Sequence, residues 1–77
     1  MRVHVKVFAG LRRFAPGGKS PFDLELEPGA TVGDLLKRLG IPEEKPKILL
    51  VNGRHASLDR ELSHGDEVSL FPPVAGG

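Results

Sequence analysis

Gly76 and Gly77 close the sequence behind Pro72 and Pro73, in the stretch SLFPPVAGG, and what they present is a backbone carboxylate instead of a side chain. An end without side chains is as thin as a polypeptide can be, so it can enter a channel too narrow for other residues. The prolines donate no amide hydrogen, which stops a sheet ladder, and their fixed φ favours an extended polyproline stem. From Pro72 the six remaining residues reach about 20 Å at ~3.3 Å each. Pro72, Pro73, Val74, Ala75, Gly76 and Gly77 therefore read as a presented tail beyond a body spanning residues 1–71. A frayed stub would account for the glycines but not for the stiff stem before them.

Other chemistry is thin. There is no cysteine, which removes disulfides, thiolate metal sites and thiol nucleophiles together. His4, His55 and His64 lack metal-ligand spacing and read as surface imidazoles, so no metal site is expected. Ser57 and Ser63 lie near a His and an Asp only as chance allows, and GRHASLDREL has neither a nucleophile elbow nor a phosphate loop. Arg12-Arg13 and Lys37-Arg38 read as solvated faces. No active site is expected within the chain itself.

Composition sets the frame. Seventy-seven residues make one domain, with a single core and no spare length for a catalytic lobe. A hydrophobic content of 39% and a net charge of +1 describe an ordinary globule, without the clustered basic charge of a nucleic-acid or membrane binder. No apolar run approaches the roughly 18 residues of a membrane span. MRVHVKVF alternates where a secretory segment would show an apolar block, so a cytoplasmic location is expected. One asparagine, no glutamine and seven prolines lean towards a thermophilic source.

The elements that must position the tail follow from periodicity. Val3, Val5 and Val7 alternate with Arg2, His4, Lys6 and Phe8, which predicts a half-buried first strand. Leu11 and Phe14 can pin the segment after it. Phe22, Leu24 and Leu26 alternate with Asp23, Glu25 and Glu27 in a second strand ended by Pro28-Gly29. In TVGDLLKRLGIP, Thr31 and Asp34 form a capping box, and Val32, Leu35, Leu36 and Leu39 make one apolar stripe. Gly40 suits a left-handed stop and Pro42 forbids continuation, so a helix is predicted over about 32–39. ILLV reads as a short buried strand, Asn52-Gly53 as a type I′ hairpin turn, and residues 54–56 as the return strand. SLDREL is a connection anchored by Leu58 and Leu62. EVSLF is the last strand, with Val68 and Leu70 inward. The expected fold is α+β: a mixed sheet of four to five strands with one helix on one face.

Phe8 and Phe71 break the alternation, since each ends a strand on its otherwise polar face. Either the rings curl over the sheet edge, or the first and last strands are parallel neighbours. In the second case both rings lie at one end of the open face, as an apolar docking patch at the root of the tail.

VFAGLRRF near the start, VNG mid-chain and LSHGDEVSLFPPVAGG at the end resemble the ubiquitin-like β-grasp sulfur carriers of the MoaD/ThiS family, above all the small subunits of molybdopterin synthase (MoaD). The resemblance covers the whole chain. It implies that the Gly77 carboxylate is adenylated with MgATP by a MoeB-like activating enzyme and then converted to a thiocarboxylate. The sulfur donor would be of the cysteine desulfurase or rhodanese kind. A MoaE-like large subunit, which holds the active site, would use that sulfur to build the dithiolene of molybdopterin. The chain itself would bind no cofactor. Phe8 and Phe71 fall at family positions of the docking patch, and Arg12 matches an arginine slot that can contact the activating enzyme. His55 departs from the pattern, standing where the resemblance leads one to expect an apolar patch residue. A carrier for thiamine or cysteine sulfur, or a ubiquitin-like modifier using the same diglycine, remains the alternative.

Overall fold

The structure is a computed structural model and describes residues 1–73 of the 77. Val74, Ala75, Gly76 and Gly77 lie outside the described residues. The elements run in the order β1 (Arg2–Val7), β2 (Phe22–Glu25), α1 (Val32–Leu39), β3 (Ile48–Val51), β4 (Arg54–His55) and β5 (Glu67–Phe71), with 3₁₀ turns at Ala9–Phe14 and Pro16–Gly18. The strands form one sheet in the order β2-β1-β5-β3-β4.

β1 and β5 are the parallel centre of that sheet, with Val5 opposite Val68 and Val7 opposite Leu70. Antiparallel pairs flank them, β1 with β2 and β5 with β3, and β4 closes one edge against β3. Parallel neighbours need a crossover; the chain between β1 and β5 supplies it and includes α1. The inward side chains of β1, β3 and β5, together with Val32, Leu35 and Leu36 of α1, make one buried core that also takes in Leu11, Ile41 and Leu62.

The helix forms as its sequence dictates. Thr31 accepts from the Asp34 amide while Asp34 accepts from the Thr31 amide, satisfying donors that a helix start leaves free. The amides of Val32 and Gly33 go to the carbonyls of Arg60 and Leu58 at 3.0 and 2.8 Å, so the loop after β4 completes the cap. Glycine suits position 33 for that approach: a Cβ there would sit 3.3 Å from the Leu58 carbonyl oxygen, a tight contact that the loop would have to relieve by a few tenths of an ångström. Gly40 closes the helix at φ 76°, and the Ile41 amide bonds back to the Leu36 carbonyl at 2.9 Å.

Three sequence expectations change. β2 ends at Glu25 instead of running on to Glu27, although Leu26 still enters the core. The return strand is Arg54–His55, one residue shorter than expected, because Ala56 keeps only its amide bond to the Leu49 carbonyl at 2.9 Å. ILLV is not buried throughout. Only Val51 is fully enclosed, and Ile48 is 37% exposed, because among the described residues no element covers the face of β3 turned away from α1.

Candidate tail-root docking face

Register places both odd phenylalanines. β1 and β5 run parallel with Val7 opposite Leu70, so the next residue of each strand projects to the same side of the same sheet end. There the rings of Phe8 and Phe71 stack, with centroids 4.3 Å apart and planes inclined by 4°. The rings do not curl separately over an edge; they form a single apolar unit. The backbone on both sides is pinned: the Phe8 amide donates to the Leu70 carbonyl at 3.2 Å, and the Lys47 amide donates to the Phe71 carbonyl at 2.7 Å. Ala9 then turns the chain off the sheet at φ 50°, a left-handed conformation that costs an L-residue about 1–2 kcal/mol.

The structure adds two residues that sequence reasoning missed. Ile48 is the cross-strand partner of Phe71, and Leu50 is the partner of Ser69, so both share the face of the stacked rings. Among the described residues, Phe8 and Ile48 are the large hydrophobic side chains left exposed, at 38% and 37%. The signal was available in principle: once ILLV pairs antiparallel with the last strand, every second residue of it must face outward.

His55 lies across from Leu50 on β4, exposed, at the free edge where this face ends. Arg12 is exposed on the 3₁₀ turn and lines a recess of about 270 Å³ with Lys6, Phe8, Ala9 and Ser20. Pro72 is half-buried and Pro73 exposed, immediately beyond Phe71. The patch residues Phe8 and Phe71 and the stem prolines thus share one end of the sheet, with Arg12 and His55 at its margins.

Elsewhere the outer face is ionic. Arg2 pairs with Glu25 at 2.9 Å, Lys6 with Glu67 at 3.6 Å, and His4 with Asp23. The three histidines do not converge. His4 is paired with Asp23, His64 accepts the Arg2 amide on Nδ1 at 3.0 Å, and His55 stands on the far edge strand. Among the described residues no group of three or more histidine or carboxylate side chains is placed to hold a metal ion. No described helix is long and apolar enough to cross a membrane. One half of the outer sheet face is therefore solvated charge, and the half at the root of the tail is apolar.

The likeness to known proteins spans nearly the whole chain, this face included. The ThiS family model matches residues 5–77. The chain belongs to the ThiS family. This ThiS-family chain is similar to small archaeal modifier protein 1 of Haloferax volcanii, 34% identical over 86 aligned positions that cover 94% of this chain and 97% of the relative. The crystal structure of SAMP1 from that organism matches with a TM-score of 0.79 at 30% identity, covering 100% of both chains. A putative molybdopterin converting factor subunit 1 from Pyrococcus furiosus matches with a TM-score of 0.78 at 36% identity, covering 96% of this chain and 99% of that one. The ubiquitin of Caldiarchaeum subterraneum matches with a TM-score of 0.61 at 26% identity, covering 100% of this chain and 98% of that one. The fold is the ubiquitin-like β-grasp, with a mixed five-stranded sheet and one main helix.

Proposed function

We propose that this ThiS-family protein is a sulfur carrier, the small subunit of a molybdopterin synthase, and that its reacting group is the carboxylate of Gly77. An α-carboxylate, with a pKa of about 3.3–3.7, is an anion at pH 7 and resists nucleophiles. A MoeB-like adenylating partner using MgATP joins one carboxylate oxygen to the α-phosphorus and expels pyrophosphate, which leaves an acyl-adenylate. A sulfur nucleophile from a desulfurase or rhodanese then attacks the carbonyl carbon and AMP departs. When that nucleophile is a persulfide, the product is an acyl disulfide. A second thiol, on the donor or in solution, then attacks the donor-side sulfur and forms a disulfide with it, leaving the transferred sulfur on Gly77 as a thiocarboxylate. A MoaE-like large subunit takes that sulfur for the dithiolene. A chain without cysteine suits this chemistry, since the sulfur rides on the main chain.

The observation that carries the reading is the stacked Phe8–Phe71 pair, with Ile48 beside it, at the base of the Pro72-Pro73 stem. An apolar face that a partner can cover, continuous with a thin tail, lets docking and tail insertion occur together. The similarity to the Pyrococcus converting-factor subunit supports the molybdopterin assignment.

A second reading has equal support from the relatives: a protein modifier whose diglycine is joined to lysine amines, as the name of the Haloferax modifier suggests. Both readings begin with the same acyl-adenylate and divide at the nucleophile that follows. Intact-mass analysis after incubation with the adenylating enzyme, MgATP and a sulfur donor tests the first. The expected outcome is a gain equal to one oxygen-to-sulfur exchange, absent when Gly77 is removed. Sulfur uptake by the truncated chain would sink the proposal. Covalent ladders that survive denaturing pulldown, without that mass gain, would establish the modifier instead.

A further inference from the structure

Beside the stem, on the flank formed by the 3₁₀ turn and the α1–β3 loop, lies a recess of about 240 Å³ lined by Gly10, Leu11, Arg13, Phe14, Lys45, Pro72 and Pro73. Its floor is apolar, because Leu11 is buried and Phe14 is half-buried. Two cations from different loops line it. The Arg13 guanidinium carbon lies 4.9 Å from the centroid of the Phe14 ring, and such stacking orients the group while leaving its edge N–H donors free. Lys45 sits on a turn held by its own amide, which donates to the Pro42 carbonyl at 3.0 Å. Among the described residues neither cation has an ion-pair partner, whereas Arg2 and Lys6 on the outer sheet face are paired. The nearby Glu43 lines a different recess, with Thr31, Lys37 and Asp59.

We infer that this recess receives a carboxylate side chain of the adenylating partner, held between Arg13 and Lys45, so that the partner grips the stem as well as the apolar face. The inference rests on the proposed activation of Gly77 and deepens it. An oriented guanidinium takes a carboxylate through two parallel hydrogen bonds, and a lysine beside it adds a point charge. Because the prolines form part of the wall, an acidic side chain seated there fixes the direction in which the tail leaves the body. Arg13 and Lys45 are positioning residues and touch no reacting atom. Their effect falls on capture of the carrier and not on the chemical step.

The test uses the full 77-residue chain and a ubiquitin-activating-type adenylating enzyme purified from the same source, with ATP–pyrophosphate exchange followed against carrier concentration at low and high NaCl. The Arg13→Glu/Lys45→Glu pair is expected to raise KM for the carrier by about tenfold or more with kcat unchanged, and to flatten its salt dependence. Arg13→Gln/Lys45→Gln is expected to fall between it and the parent. Both positions are exposed, and an unchanged circular dichroism spectrum excludes misfolding. Exchange by the parent chain with an unaltered KM in both double variants would overturn the carboxylate recess alone. Equal loss on raising the concentration of ATP, and not of carrier, would show the cations serving the nucleotide and would also overturn it. No exchange by the parent chain would remove the functional reading, and the recess proposal with it.

Discussion

Asn52 stands at φ 53°, and its side chain ties two turns together. Nδ2 donates to Asp66 Oδ1 at 3.0 Å and Oδ1 accepts the Glu67 amide at 2.9 Å, while the other Asp66 oxygen accepts the Ser63 amide at 2.8 Å. Asp66 is the buried polar side chain among the described residues, so leaving one of its oxygens without a partner carries a desolvation cost. Asn52→Gly keeps the left-handed turn and loses the two side-chain bonds, which is expected to cost about 1–3 kcal/mol. Asn52→Ala loses the same bonds and adds a Cβ at positive φ, for roughly 1 kcal/mol more. Urea unfolding of the three proteins measures both steps; equal stability of Gly and Ala variants would show the backbone to be unstrained. The hairpin is legible in Asn52-Gly53, since the positive-φ preference is local. The tie to Asp66 is not, because its partner lies 14 positions away and only the sheet register brings it near.

At the scale of elements, legibility followed how local the determinants are. α1 contains its capping box, stripe and stop within one stretch, and it forms over Val32–Leu39 as expected. ILLV contains no such information. A continuous apolar run fits a strand buried on both faces or one that is apolar on both faces with one left open, and only pairing with β5 decides between them. The cap of α1 also yields a pH dependence. Hydrogen bonds from the Thr31 backbone amide and side chain, with a smaller contribution from Lys37, hold the Asp34 carboxyl below its ordinary value. A carboxyl with a lower pKa folded than unfolded contributes stability that is complete above the unfolded value and is lost as pH falls through the folded one. Thermal unfolding of the parent and Asp34→Ala is therefore expected to differ at neutral pH and to converge in acid, below the usual aspartate range. A gap that stays constant down to pH 2 would show that Asp34 stabilises the cap without its charge.

Over the whole molecule, the two faces of one sheet are unlike, one enclosed under α1 and the other, under the proposed function, the face that a partner covers. Val3, Val5, Val7, Val68 and Leu70 point under α1 and are fully or almost fully enclosed, whereas Phe8 and Ile48 on the other side keep more than a third of their surface. The two faces should therefore respond differently to mutation. Leu70→Ala opens the core and is expected to cost about 2–5 kcal/mol. Ile48→Asp puts a charge at a site already wet, so its cost is expected to stay near 1 kcal/mol or below. Placed against the Phe8–Phe71 stack, that same charge would be desolvated whenever a partner covered the patch, a penalty of several kcal/mol borne only by the complex. Ile48→Asp is thus expected to fold with nearly parental stability and to lose sulfur uptake at Gly77, while Leu70→Ala melts early and takes up sulfur normally below its transition. Urea unfolding and intact-mass analysis on the same samples separate the two properties. Full sulfur uptake by a stably folded Ile48→Asp chain would mean that no partner covers this face during activation, and that the tail alone is what the enzyme recognises.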